Sequence, residues 1–362
     1  MFIGAENIIS PLGNSAKETF ERMKNGESSI KNKNGIFLSS FSSSKNELLP
    51  FMIDSITDSI SFVNQTVLLE SKTLLIVSTT KGEINSINLD INKTHLSCLS
   101  EKIKKRFNCI DKGIVVSTAC VSGLQSLIVA NDMINHNYYD NVIICGGDLA
   151  SQFVIEGFTS FYALSDAPCK PFDKDRKGLN IGEAVSTIIM SNDKNLYKET
   201  PLKFLGGCSI NDANHISAPH REAEGLIKSI NNTLETGNVL SNDIDFINAH
   251  GTATVYNDEM EAKAFSKLNF DNIPVNSLKG YFGHTLGAAG IIETAISLQS
   301  IRNNLLLKCK GFENQDFDSK LDISIDINKK IITNNIIKNA IFKNIEDNKQ
   351  IKQNNINNLE NN

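Results

Sequence analysis

Short runs of β-branched and aliphatic residues alternate along this chain with segments whose apolar positions recur every three or four residues. Leu74 to Ser78, Gly113 to Ser117 and Val142 to Cys145 are of the first kind. Such runs predict strands covered on both faces, where neither side of the pleat meets water. Between 121 and 134, Val121, Leu124, Leu127, Ile128 and Ile134 fall at helical spacing. The chain opens on a short strand, a Ser-Pro-Leu-Gly turn at 10–13, and a helix capped by Asn14 or Ser15 with Phe20 and Met23 on its apolar face. Residues 25–50 are rich in Ser, Asn, Lys and Gly and predict loop, and turn formers dominate 166–183 before a strand at 184–190. A second round follows: a strand near 203–210, a helix near 221–236, a strand at 244–248, helices near 257–267 and 287–302, and a strand-like stretch at 322–326.

Strands alternating with helices imply an α/β fold with parallel sheets under helices. Two rounds of like content predict a duplicated architecture, with one half over 1–195 and a second over 196–342. Residues 343–362 are mostly Asn, Lys, Gln, Glu and Ile; they can bury little and predict a disordered tail.

Composition narrows the function classes. With 362 residues and a 40% hydrophobic share, the chain can bury a sizeable core. Its net charge of −5 argues against a nucleic-acid binder. No apolar run approaches the roughly 18 residues of a membrane span, and the start lacks a secretory signal pattern, so a soluble cytoplasmic protein is expected. The seven cysteines form no CxxC pair and no metal-ligand spacing with histidine, so no metal site is expected.

One cysteine stands out by its neighbours. Ser117-Thr118-Ala119-Cys120-Val121-Ser122-Gly123 lies between a buried strand and an amphipathic helix, which lifts Cys120 into a sharp elbow. The helix N-terminus there favours a thiolate, small neighbours leave room for a carbonyl, and the Cys120 N–H can serve an oxyanion hole. A buried structural cysteine fits the same pattern. Two histidines have comparable settings: His250, in Asn-Ala-His-Gly-Thr-Ala-Thr after a strand, and His284, in Gly-Tyr-Phe-Gly-His-Thr-Leu-Gly before a small-residue helix. A thiol with two imidazoles suits acyl transfer coupled to carbanion chemistry, with the imidazoles holding an enolate oxygen.

Together these segments resemble the β-ketoacyl-acyl-carrier-protein synthases. The resemblance is carried by Ile8-Ile9-Ser10-Pro11-Leu12-Gly13-Asn14, by Thr118-Ala119-Cys120, and by Pro171-Phe172-Asp173-Lys174-Asp175-Arg176-Lys177-Gly178 with Gly182-Glu183-Ala184. Asp212-Ala213-Asn214-His215, Ala218-Pro219 and the two histidine motifs complete it, in the family's order. It implies a thiolase-like, duplicated five-layer α-β-α-β-α fold and decarboxylative Claisen condensation of an acyl-Cys120 with malonyl-carrier protein. By resemblance His250 and His284 hold the enolate, Lys279 orders His284, and Asp258, Glu261 and Glu293 surround that lysine. Thr252 and Thr254 match threonines that bind the phosphopantetheine arm. The stretch Gly157 to Ser165 resembles an acyl-pocket segment, so Phe158 and Phe161 are expected to line the acyl channel, with Phe161 shaping it for a short, flat or aryl-bearing chain; the compactness of the chain and Asn211-Asp212-Ala213-Asn214-His215 resemble synthases of the aryl-polyene or flexirubin-type branch. The resemblance implies no bound cofactor, since phosphopantetheine arrives on the acyl carrier protein, and a homodimer or a heterodimer with another synthase subunit.

The chain departs from the family at its C-terminal end. Ile336-Ile337-Lys338-Asn339-Ala340-Ile341-Phe342-Lys343 runs straight into the polar tail with no GFGG loop, a change expected to remove a core strand and one oxyanion donor. That keeps a second reading open: a truncated chain, or a non-catalytic partner of the chain-length-factor kind. A degradative thiolase would need a second reactive cysteine, and Cys309 lacks the setting for one. The densest basic cluster, Lys102, Lys104, Lys105 and Arg106, is read as a solvated helix end.

Overall fold

The computed structural model describes residues 1–42, 47–87, 90–211, 220–318 and 320–326, with strand segments at 329–330, 335–337 and 340–343. The motif residues 212–219 and the predicted tail beyond 343 lie outside the described residues. In chain order the main elements are β1 (Phe2–Ile9), α1 (Ala16–Lys24), α2 (Leu49–Ser61), β2 (Thr73–Ser78), α3 (Ser97–Arg106), β3 (Lys112–Val116), α4 (Ser122–Asn135), β4 (Asn141–Asp148), α5 (Gln152–Ser160) and β5 (Ala184–Ser191). The second round comprises β6 (Leu202–Gly207), α6 (Glu224–Gly237), β7 (Phe246–Asn248), α7 (Val255–Lys267), β8 (Val275–Asn276), α8 (Ala289–Asn303), β9 (Asn335–Ile337) and β10 (Ala340–Lys343).

The strands join in the order β8-β7-β9-β10-β6-β1-β5-β4-β2-β3. Read outward from the middle, the second array repeats the first with every strand number raised by five. The directions repeat too. β2 is parallel to β3 and β4, while β5 is antiparallel to β4 and β1; β7 is parallel to β8 and β9, while β10 is antiparallel to β9 and β6. The arrays touch along a short seam, where Phe2 pairs with Lys203 and Ile3 with Leu202.

The period of two sorts each buried strand between two layers. Leu74, Ile76, Val142 and Ile144 pack inward on Leu124, Leu127, Ile291 and Ala295 of α4 and α8. Their neighbours Leu75, Val77, Ile143 and Cys145 pack outward on Met52, Ile56, Leu99 and Ile103 of α2 and α3. On the other side Ile230 of α6 and Phe265 of α7 cover Ile247 of β7. The result is the five-layer α-β-α-β-α arrangement. Each fully buried Leu or Ile side chain contributes about 1.5–3 kcal/mol, and α8, sandwiched in the middle, is buried without a break from Ala289 to Leu298.

The inner helices approach at backbone distance. A Cβ on Gly123 would stand 2.8 Å from Ile291 N, and one on Gly290 2.7 Å from Leu124 N. Gly123 therefore serves helix crossing and not, as the sequence suggested, access for a substrate carbonyl. The crossing fixes the start of α4, which follows Cys120, against the start of α8, which follows His284.

Four sequence expectations change. Residues 25–50 hold a hairpin, Lys31–Lys33 with Ile36–Ser39, whose second strand pairs with Ile181–Gly182. Its Asn34-Gly35 turn, both at positive φ, is the usual two-residue hairpin signal. The 322–326 stretch makes one bridge, Ile323 to Val275, and no strand. β3 is a sheet edge with partly exposed residues and is not buried on both faces. Finally, β10 pairs between β9 and β6, so the expected loss of a core strand does not occur; residues 338–339 alone join β9 to β10 where the family carries its glycine loop.

Candidate active site

Cys120 sits at the turn from β3 to α4, and a local clamp forms its elbow. Ala119 is held at φ +52, a conformation unusual for a residue with a Cβ. Ser122 Oγ donates to the Ala119 carbonyl at 2.6 Å and accepts from Thr118 N at 2.8 Å. Burial pushes the Cys120 thiol above its ordinary pKa, with the Lys279 ammonium and a backbone hydrogen bond opposing it. The sequence pointed to a thiolate favoured by the helix N-terminus; desolvation outweighs these stabilising contacts and favours the thiol form.

His284 Nε2 lies 3.0 Å from Cys120 Sγ. The His284 backbone N–H donates to Asn180 O at 2.7 Å, and its carbonyl accepts from Gly182 N at 3.0 Å. Its Nδ1 accepts from Leu286 N at 3.1 Å. A ring nitrogen that accepts carries no proton, so the neutral ring keeps its proton on Nε2, facing the sulfur. His250 stands edge-on to His284, with ring centroids 5.1 Å apart. Its Nδ1 is 3.1 Å from Nζ of Lys279, the lysine the sequence had assigned to His284, and the ammonium has only donors to offer. His250 therefore also carries its proton on Nε2. The site thus presents two imidazole N–H donors beside one thiol.

Lys279 is buried and forms an ion pair with Glu293 at 2.5 Å. The sequence grouped Asp258 and Glu261 with Glu293 around this lysine; the structure gives them different work. Glu261 accepts from the backbone N–H groups of His250 (2.8 Å) and Gly251 (2.7 Å), so it fixes the histidine loop. Asp258 accepts from Phe172 N at 2.7 Å and ties the Pro171–Asp173 turn to α7. Asn257, which the sequence did not single out, donates to both carboxylates, at 3.2 Å to Asp258 and 2.9 Å to Glu261. Thr252 and Thr254 meet hydroxyl to hydroxyl at 2.8 Å close to His250. Thr254 occupies the N-cap of α7 without capping it through its side chain.

Burial, with the Glu261 charge adding to it, raises the Asp258 carboxyl to about 7. An unfolded aspartate ionises near pH 3.9, so between about pH 4 and 7 the folded chain holds a proton that the unfolded one has released. This group's contribution to stability is expected to fall as pH rises through that window. Asp258→Asn should therefore flatten the dependence of Tm on pH between 4.5 and 7.5; identical slopes for variant and parent would contradict the assignment.

Donor atoms of Cys120, His250 and His284 lie within 4.8 Å of one another, close enough to suggest a metal site. The protonation pattern opposes it. Metal-bound histidines donate through their other nitrogen, whereas here both Nδ1 atoms accept.

Several expected residues lie elsewhere. Phe158 packs on Val154, Leu179, Ile181 and Leu286, while Phe161 ends α5 and is 73% exposed. Neither borders the cavity of about 210 Å³ that opens at Cys120, whose apolar walls include Val121, Leu124, Leu226, Ile230 and Phe265. Phe161 thus gives no support to an aryl-bearing acyl chain, and residues 212–215, on which the likeness to the aryl-polyene branch rests, lie outside the described residues. Cys309 is buried, donates to the Pro171 carbonyl at 3.5 Å, and burial holds its thiol far above the ordinary range. The basic cluster ends α3, just before β3 begins, so it sits at the end of the strand opposite Cys120.

The sequence matches two family descriptions, "Beta-ketoacyl synthase, N-terminal domain" over residues 60–195 and "Beta-ketoacyl synthase, C-terminal domain" over 204–313. The chain belongs to the β-ketoacyl synthase family. It is 34% identical over 240 residues to a 3-oxoacyl-[acyl-carrier-protein] synthase 2 of Coxiella burnetii, covering 63% of this chain and 58% of that one. It is 31% identical over 244 residues to a protein of the same description from Rhizobium meliloti, covering 62% and 56%. The chain thus spans little more than half the length of these curated relatives. Among solved structures, the ketosynthase described with its type II polyketide acyl carrier protein matches with TM-score 0.85 at 18% identity, over 95% of this chain and 99% of the other. The pair of ketosynthase and chain length factor from Xenorhabdus doucetiae matches with TM-score 0.81 at 22% identity, over 94% and 97%. At these identities the likeness is one of fold, the thiolase-like fold of ketosynthases. Among the described residues, no helix is long and apolar enough to cross a membrane.

Proposed function

We propose that the chain is a β-ketoacyl-acyl-carrier-protein synthase in which Cys120 carries the acyl group and His250 and His284 bind the enolate. The observation that carries this reading is the pair of Nε2–H donors fixed beside a nucleophilic sulfur. Loading exchanges one thioester for another. Sγ attacks the acyl carbon, the pantetheine sulfur leaves, and the proton lost by Cys120 ends on that leaving thiol. Malonyl thioester then binds, and its C–C bond breaks to release CO2. The electron pair forms an enolate whose oxygen accepts from both imidazoles. The enolate carbon attacks the acyl carbon, the bond to Sγ breaks, and the sulfur regains a proton.

In this scheme Thr252 and Thr254 hydrogen-bond the pantetheine arm, and no further cofactor is called for. The carrier is an acyl carrier protein. A cavity of about 210 Å³ lies below the usual 300–1,000 Å³ of ligand pockets and favours a short acyl group. A second subunit, either a copy or a related synthase chain, would pair along the open edge of β3, whose last residue stands four before Cys120; a monomer by sedimentation at micromolar concentration would overturn this part.

Intact-mass spectrometry after incubation with acyl-carrier-protein thioesters tests the core of the reading. The parent chain should gain one acyl group, short chains faster than long, and Cys120→Ala none. A folded parent chain that never gains mass would instead support the non-catalytic partner reading.

A further inference from the structure

The carboxylate of Asp148, at the end of β4, is buried and surrounded by donors. Thr79 Oγ1 donates to it at 2.8 Å, Thr80 N at 2.9 Å, Thr80 Oγ1 at 3.0 Å, Lys81 N at 3.1 Å and Gly287 N at 2.8 Å. Burial outweighs these bonds and leaves the carboxyl's pKa above its ordinary value. Each oxygen also faces a backbone N–H that can only donate, Lys81 on one and Gly287 on the other, so an amide nitrogen at either position would turn a donor toward a donor. The enzymatic scheme above makes no use of this group.

What the carboxylate holds is the turn between His284 and α8. Leu286 lies in that turn at φ +53, a left-handed conformation that costs a branched residue of order 1 kcal/mol or more and needs support from its surroundings. The support is next door. Gly287 N is anchored on Asp148, and its Cα packs so closely that a Cβ would meet Asp148 Oδ2 and Thr79 Cα at 2.7 Å each. The N–H of Leu286, aimed by the same turn, is the donor to His284 Nδ1.

We infer that Asp148 is a positioning residue for His284: by anchoring Gly287 it keeps Leu286 left-handed, keeps the Leu286 N–H on Nδ1, and so keeps the imidazole proton on Nε2 toward Cys120. The inference rests on the proposed function for its catalytic consequence, but its structural content is a tautomer and can be read without turnover. Asp148 itself touches neither substrate nor the reacting sulfur in this role.

The test uses the full chain labelled with 15N-histidine, with His284 assigned through His284→Gln. In the parent, Nδ1 of His284 should be unprotonated and Nε2 protonated. In Asp148→Asn the signal should shift to a mixture of tautomers. Decarboxylation of malonyl-carrier protein should fall about 10- to 100-fold, less than the roughly hundred- to thousandfold cost of removing one preorganised donor outright, while acylation of Cys120 changes little. A folded Asp148→Asn with the parent's tautomer and the parent's decarboxylation rate would overturn the inference. Should that variant not fold, Thr79→Val removes one of the donors at nearly constant volume, and an unchanged tautomer and rate there overturn it equally. A parent without any decarboxylation would sink the proposed function and leave the tautomer readout to decide this one.

Discussion

Replacing Lys279 by methionine will destabilise the fold by about 3–5 kcal/mol, the usual cost of leaving one partner of a buried ion pair uncompensated. The prediction follows from burial: the side chains of Lys279 and Glu293 are 1% and 2% exposed and meet at 2.5 Å, so the single variant removes the opposite charge from a buried carboxylate. Replacing both, with Lys279→Met and Glu293→Leu, should recover most of the loss, because apolar pairs of similar volume commonly substitute for buried ion pairs without penalty. Activity should not recover with it. His250 Nδ1 would still lack the ammonium that keeps the proton on Nε2, and the enolate would lose a donor. Urea unfolding midpoints and a decarboxylation assay on the three proteins separate these effects. Equal stability of parent and single variant would mean that Glu293 is neutral in the folded chain. A double variant with full activity would remove Lys279 from the chemistry.

The elements that were legible in the sequence are those whose pattern is local. β2 and β4 show as apolar runs because both faces are covered, and α4 shows through its spacing. Cys120, His250 and His284 were readable because each sits beside a strand end or helix start in a small-residue motif, and the structure brings all three together. What could not be read depends on partners far along the chain. Glu261 and Asp258 are buried on α7, yet their oxygens bind backbone N–H groups of residues 250–251 and 172, where the resemblance had set them around Lys279. Phe161 looked like a pocket residue because its neighbours resemble a pocket segment, whereas the end of α5 turns it outward. Asp148 was overlooked because a lone carboxylate after Gly146-Gly147 has no local signature; its five donors come from segments nearly seventy residues before it and 139 residues after it. The C-terminal strands were underrated for a related reason. Three- and four-residue strands carry almost no periodicity, and their place is set by the duplicated array they complete.

Removing His284 and removing Cys120 should divide the reaction at opposite points. In His284→Ala, Cys120 keeps its elbow, since Ser122 and Ala119 hold it without help from the imidazole. Acylation should persist, and condensation should fall by about a hundred- to a thousandfold as one enolate donor is lost. Cys120→Ala should do the reverse. No acyl adduct can form, yet both Nε2–H donors remain, His284 held by Leu286 N and His250 by Lys279. Malonyl thioester should therefore still lose CO2 in Cys120→Ala, giving acetyl thioester in place of a condensation product. Mass spectrometry of the protein and of the carrier-bound product reads both halves in one experiment. If His284→Ala lost acylation as well, the imidazole would be acting on the sulfur and the enolate role would need another donor. If Cys120→Ala lost decarboxylation, the sulfur would have to take part before the C–C bond breaks, and the two-donor account of the site would fail.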